Sequence, residues 1–182
     1  MTSRVGKLLI ANPNFPEDSP FHKNVIYLHD DQPGGTFGVR LNQPFGTVSR
    51  FCDHSGIMFP DMNPMMHAGG PVNPSAVIIL HTNEWQSSNT TQTNRGLAIS
   101  SDAHMFHKMS TGNEPVYWRA FQGMCAWRPG QLDKELNGDH PFNKSMWLLA
   151  EPNDDVIFNY DNTDQWVMAV DLCSQQTIAN FF

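Results

Sequence analysis

Short apolar runs closed by Gly, Pro or Asn recur along the whole chain. Lys7–Ala11 predicts a strand that stops at Asn12-Pro13. Asn24–His29 carries Val25, Ile26, Tyr27 and Leu28 without alternation, the pattern of a strand covered on both faces. Asp30–Gly35 has turn chemistry, and Thr36–Leu41 returns, so the pair predicts an antiparallel hairpin. Val77–His81 and Gly96–Ser100 read as further strands. Pro115–Gln122 alternates, with Val116, Trp118, Ala120 and Gln122 on one face and Tyr117, Arg119 and Phe121 on the other. Ser145–Leu149 and Val156–Tyr160 are read as the last strands.

Helices are signalled between these runs. Thr47 is a capping residue for a short helix reaching Cys52. Ser101 or Asp102 caps a helix whose buried stripe is Met105, Phe106 and Met109. Pro129 is placed to open a helix to about Leu136. Trp166, Ala169 or Val170, and Cys173 share one side of a last helix over about Thr163–Cys173. Ser55–His67 reads as loop, with Met58, Met62, Met65 and Met66 framed by Pro60 and Pro64. Thr82–Arg95 is polar and featureless, the expected mobile surface loop. With no linker, repeat or change of composition, the expectation is one α+β domain over residues 1–182, a mixed, mostly antiparallel sheet flanked by helices.

Composition narrows the function classes. The chain has 182 residues, 40% hydrophobic and 16% charged, the latter well below the average of about 25%. Net charge is −7, and the eleven Lys and Arg are scattered singly. Direct nucleic-acid binding is disfavoured, because phosphate contacts draw their affinity from a basic stripe. Three widely spaced cysteines make no C-x-x-C pair and no complete disulfide set, as in a reducing cytosol. No apolar run is long enough for a secretory core or a membrane span. The expectation is a cytoplasmic protein that does not enter a membrane.

Candidate chemistry is sparse. Gly69-Gly70-Pro71-Val72 is either a backbone approach to a ligand, with N–H groups turned to an anion, or a tight turn needing positive φ. No phosphate-cradling glycine motif is present. Cys125–Leu132 places Trp127 beside a helix N-terminus that includes Gly130 and Gln131. That segment is either a small-ligand corner or a Trp wedged into the core. Cys125 has no visible base beside it and reads as an inert buried thiol. His104 and His107 have ligand spacing, yet they lie opposite the apolar stripe and lack a Cys or carboxylate partner, so neither a metal nor a cofactor is expected. The methionines Met62, Met65 and Met66 are either an adaptable partner surface or gap-fillers beneath a loop.

The segments GKLLIANP, NVIYLHDD, GTFGVRLNQP, GGPV, VIILH, GLAISS and CAWRPGQLDKEL, in this order and spacing, resemble the AlgH/YqgE family of bacterial proteins. The resemblance spans nearly the whole chain and names no reaction. It implies a mixed sheet flanked by helices, and, through a regulator label carried by one member, a regulatory or adaptor role without chemistry. In the family the stretch after Gly38 reads as three aliphatic positions, Asn, Arg and Pro. Here Asn42 and Pro44 match, Arg40 takes an aliphatic position, and Gln43 stands where Arg is expected. The family also places Ala or Ser where Cys125 stands, which argues against a shared thiol mechanism. The first expectation is therefore a non-enzymatic regulatory or adaptor protein with an unidentified protein partner. The alternative is a small-ligand-binding protein or hydrolase-like enzyme with a cleft bounded by Asn42, Gly69-Gly70, His81 and Trp127.

Overall fold

The computed structural model describes residues 3–52, 55–59 and 64–182. Its strands are β1 (Leu8–Ala11), β2 (Val25–Gln32), β3 (Gly35–Arg40), β4 (Pro44–Thr47), β5 (Met65–Ala68), β6 (Val72–Thr82), β7 (Thr90–Gln92), β8 (Leu97–Ser100), β9 (Trp118–Trp127) and β10 (Trp147–Ala150). Its helices are α1 (Val48–Phe51), α2 (Met105–Ser110), α3 (Gln131–Asn137), α4 (Asp154–Phe158) and α5 (Asn162–Ala179). The strand order is β10-β1-β2-β3-β9-β6-β8-β7, antiparallel at every step, with β5 adding the one parallel pairing, to β9. The fold is α+β.

The long strand β9 organises the sheet. One of its edges is taken by β6, His81 facing Trp118 and Val77 facing Gln122. The other edge is shared: β5 pairs with Ala120–Gln122, and β3 pairs with Cys125–Trp127. The handover happens where Gly69 and Gly70 pass Gly123. Gly69 donates its N–H to Gln122 O at 2.8 Å and accepts from Arg40 N at 2.8 Å. A Cβ on Gly69 would lie 2.2 Å from Gly123 O, and one on Gly123 would lie 2.4 Å from Gly70 O. Gly123 also holds φ +72, which side chains disfavour. The Gly69-Gly70 pair therefore serves close backbone packing. Gly123 is also why β9 runs on to Trp127, past the expected end at Gln122.

Uninterrupted apolar runs become strands with two buried faces. Leu8, Ile10, Val25, Tyr27, Ile78, Leu80 and Phe121 join Val156, Ile157, Ala169 and Cys173 of α4 and α5 in one core. Their neighbours Leu9, Ala11, Ile26 and Leu28 face the opposite side, with Cys125, Trp127, Leu132 and Trp147. A third cluster gathers Ile79 and Ala120 beneath α1 and α2. The sheet curls: the Tyr27 hydroxyl meets Thr93 Oγ1 at 2.7 Å, although β3, β9 and β6 stand between β2 and the β7–β8 hairpin. Asn94 closes the same seam by donating to the Val5 carbonyl.

Several expectations change. Thr82–Arg95 contains β7, because Thr90–Gln92 pairs with Ala98–Ser100 without needing an apolar side chain. Val156–Tyr160 is not a strand but lies at the end of α4, whose N-cap Asn153 accepts from Val156 N at 2.8 Å. α3 opens after Gly130, which is left-handed at φ 72, so Pro129 precedes the helix rather than starting it. α5 extends to Ala179. Thr47 caps α1 as expected, accepting from Arg50 N.

Polar anchors fasten α4 and α5 to the sheet. Arg119, 6% exposed, donates to Leu41 O, Asp161 Oδ1 and Gln165 Oε1 at 2.9, 3.0 and 3.1 Å, and to Phe158 O and Tyr160 O at 3.2 and 2.9 Å. His67 Nε2 meets the same Asp161 oxygen at 2.8 Å. Asn42 accepts from Val25 N at 3.0 Å and donates to Lys23 O and Asn162 O at 2.9 and 2.8 Å. All three hydrogen bonds of this buried amide go to main chain.

Two outcomes follow. Arg119→Ala strips five donor contacts and leaves Asp161 and the α4 carbonyls without their cation, a loss of about 3–5 kcal/mol readable by chemical denaturation. His29, whose ring nitrogens are buried with no hydrogen-bond partner among the described residues, is pushed down by burial to a pKa of about 4, against the pull of Asp30. The unfolded chain takes up that proton near its ordinary value of about 6.5. Stability from this group is therefore full above that value and falls as pH drops through about 4, by about 3 kcal/mol at most. His29→Leu is expected to flatten the slope in that window; an unchanged slope would remove His29 as its source.

Candidate functional site

The segment after β9 builds part of a largely apolar cavity. Arg128-Pro129-Gly130 turns the chain, and Gln131 Oε1 accepts the Arg128 N–H at 3.1 Å, fixing the start of α3. Gln131 and Glu135 lie one turn apart on the same helical face, and Gln131 Nε2 donates to Glu135 Oε1 at 2.9 Å. Glu135 Oε2 accepts two indole N–H groups, from Trp127 of β9 at 3.0 Å and Trp147 of β10 at 2.7 Å. Trp127 and Trp147 are 5% and 3% exposed, and Glu135 is 9% exposed. The carboxylate thus joins α3 to the ends of two strands. None of the ion pairs among the described residues involves it.

Beside this junction lies a cavity of about 280 Å³. Its walls include Phe15, Phe21, Trp127, Phe142, Met146 and Trp147, with Ser19, Gln131 and Glu135 as polar members and Pro71 and Val72 also contributing. Pro71, Val72 and Gln131 are exposed, so the cavity opens to solvent there. Trp147 is ringed by Phe15 at 5.0 Å, Phe21 at 5.9 Å and Trp127 at 6.3 Å between centroids, at mutual inclinations of 60°, 69° and 83°. These are the tilted and edge-to-face contacts of rings packed against Trp147.

The residues singled out from sequence divide accordingly. Pro71, Trp127 and Gln131 meet at this cavity, and Gly130 sits at the turn leading into it. Gly69 and Gly70 are consumed by the crossing over Gly123, and Asn42 by its main-chain bonds. His81 does not converge with Trp127. It faces Trp118, nine residues before Trp127 on β9, a separation of roughly 30 Å along an extended strand. His81 is fully buried, donates from Nδ1 to Thr82 O and meets Ser100 Oγ through Nε2, both at 2.9 Å. Burial lowers its pKa, against the Thr82 carbonyl and Glu84. A cleft joining His81 to Trp127 is thus excluded by the length of β9.

Of the methionines, Met66 is fully buried beneath α1 and α2, Met65 is 39% exposed, and Met62 lies outside the described residues. The burial of Met66 overturns its place in a partner surface. Cys125 is 2% exposed, and burial pushes its thiol up to about 12, against Arg40. It remains a thiol at neutral pH, turned towards Gly69 O. His104 and His107 are exposed, and no group of three or more metal-capable side chains forms among the described residues. No helix among the described residues is long and apolar enough to cross a membrane. Glu135, Trp147, Phe15 and Phe21 were missed from sequence; the only local signal was the Gln131–Glu135 spacing.

A model of the AlgH-like family matches residues 8–177. The chain belongs to that family. A UPF0301 protein of Marinomonas is 30% identical over 166 residues, covering 88% of this chain and 84% of its own. One from Aliivibrio salmonicida is 27% identical over 173 residues, covering 90% and 88%. The solution structure of the AlgH protein from Pseudomonas aeruginosa matches with a TM-score of 0.73 at 23% identity, over 92% of this chain and 87% of that one. The crystal structure of a Corynebacterium diphtheriae protein matches with a TM-score of 0.69 at 20% identity, over 91% and 85%. At these identities the solved structures share the fold.

Trp127 carries both packing and a hydrogen bond. Trp127→Ala is expected to lose about 3–5 kcal/mol by denaturant unfolding. Trp127→Phe should lose less, since the ring stays and Trp147 still donates to Glu135. Equal losses in the two variants would mean that the indole N–H, not the packed ring, holds this corner.

Proposed function

We propose that this AlgH-like chain is a binding protein without covalent chemistry of its own, and that it captures a small ligand in the aromatic cavity beside Trp127. The cavity itself carries the reading: an apolar, solvent-reaching space with one oriented carboxylate has the composition of a recognition site. Its reactive candidates point away from catalysis. The Cys125 thiol is held protonated, and Glu135 is engaged by three N–H donors. A regulatory role would then follow from ligand occupancy changing what the protein contacts.

A protein-contact role has a separate observation behind it. Phe45, Phe51 and Met65 are 55%, 39% and 39% exposed on neighbouring β4, α1 and β5. These residues replace the methionine cluster as the face an adaptor would use. The charge of −7 disfavours direct nucleic-acid binding in either case. The free, buried Cys52, Cys125 and Cys173 accord with a cytoplasmic location.

The indole N–H resonances of Trp127 and Trp147 report directly on the cavity. We expect a set of small neutral, anionic and cationic fragments to contain members that shift both signals in wild type. Val72→Trp, which adds bulk at the exposed rim, should abolish those shifts without lowering the melting temperature. If no fragment of any charge class moves either resonance, the cavity is not a ligand site and the exposed Phe45 face becomes the better explanation.

A further inference from the structure

The chemistry of the cavity wall selects a class of ligand, an inference that rests on the cavity being a binding site. The Glu135 carboxylate is the one charged group lining it; no Lys, Arg or His contributes to the wall. Its three partners, Trp127, Trp147 and Gln131, are neutral donors, so its negative charge is solvated by dipoles but not neutralised. An anionic ligand would meet a like charge with no cation to offset it. A neutral polar ligand would find few partners among the phenylalanines, Met146, Pro71 and Val72. A cation gains twice, from the carboxylate and from the aromatic rings that line the cavity.

The free acceptor capacity narrows the class further. A carboxylate offers about four lone-pair sites, and three N–H groups already occupy Glu135. A primary ammonium brings three N–H donors to a wall whose side-chain acceptors, on Glu135, Gln131 and Ser19, already hold hydrogen bonds, so part of its desolvation goes uncompensated. A quaternary ammonium has no N–H to satisfy and carries its charge on methyl groups that pack against rings. We propose that the cavity binds a small quaternary ammonium compound, with Glu135 as counter-charge and Phe15, Phe21, Trp127 and Trp147 as walls. The volume of about 280 Å³ accommodates such a head group together with a short substituent.

The test compares choline with 3,3-dimethyl-1-butanol, its uncharged isostere, by titrating the Trp127 and Trp147 indole N–H resonances of the full chain. Choline is expected to bind at least about tenfold more tightly than the isostere, the scale of a desolvated cation–π contact. Glu135→Gln, whose amide oxygen can still accept both indole N–H groups, should reduce that preference while leaving the isostere's affinity unchanged. Should that variant melt early, Phe21→Leu keeps apolar volume while removing one ring, and should weaken choline about threefold to fivefold relative to the isostere. Equal or tighter binding of the isostere would overturn the cation inference and leave the ligand-binding reading standing. If neither compound, nor any neutral or anionic fragment, moves the indole signals, both fall together. A choline preference that survives Glu135→Gln and Phe21→Leu in folded proteins would also overturn the assignment.

Discussion

The close passage of Gly69 and Gly70 over Gly123 is the constraint on which the architecture rests. It lets one strand, β9, exchange partners along a single edge, from β5 to β3, while β6 holds the other edge from Trp118 to Met124, with a register shift between Val72 and Val77. Backbone takes the space that any Cβ would need, with Gly123 O 2.2 Å from the position a Gly69 Cβ would occupy. The same crossing delivers Pro71 and Val72 to the rim of the aromatic cavity, directly after Gly70. Strand exchange and cavity entrance are thus two outcomes of one local packing requirement. A substitution at Gly69 or Gly123 would disturb both.

Two buried charges, near opposite ends of β9, are treated differently, and the difference separates scaffold from site. Arg119 has a carboxylate, Asp161, and four neutral oxygens around it, so its charge and its donor geometry are both met. Such an arrangement fixes α4 and α5 against the sheet and leaves nothing for a ligand to supply. Glu135 has donors but no counter-charge, and it borders open space. Burying a charge without a partner opposes folding, so retaining one beside an aromatic cavity is better matched to an incoming cation than to structure alone.

How much of this was legible in the sequence depended on whether the signal was local. The apolar run at Lys7–Ala11 announced a strand and that at Val25–Leu28 a strand buried on both faces; the structure buries Leu8–Ala11 and Val25–Leu28 fully. Thr47 announced a helix start. β7 was invisible because Thr90–Gln92 is polar and exposed, and its existence depends on backbone pairing to β8. Val156–Tyr160 was misread because its apolar pair outweighed Asn153-Asp154-Asp155, a capping residue followed by first-turn acids. The cavity was only partly legible. Trp127, Gln131 and Glu135 are close in sequence, whereas Phe15, Phe21 and Trp147 arrive through the pairing of β1 with β2 and β10.

Several of the residues that carry the family resemblance are scaffold residues, while the segment Cys125–Leu136 also reaches the cavity through Trp127, Gln131 and Glu135. Gly38 has no room for a side chain against Ile26 and Tyr27, since a Cβ would lie 2.7 Å from Ile26 Cγ2. Asn42 makes its three hydrogen bonds to main chain, and Gly69-Gly70 serve the crossing. The departures at Gln43 and Arg40 are absorbed locally: Gln43 donates to Asn24 Oδ1 at 3.0 Å, and Arg40 donates through Nε to Ala68 O at 2.9 Å. A pattern made of such residues transmits a fold and is compatible with different ligands, because a fold does not by itself specify function. Specificity has to lie in the side chains that face the cavity, and in this chain those are a carboxylate without a counter-ion and the rings that surround it.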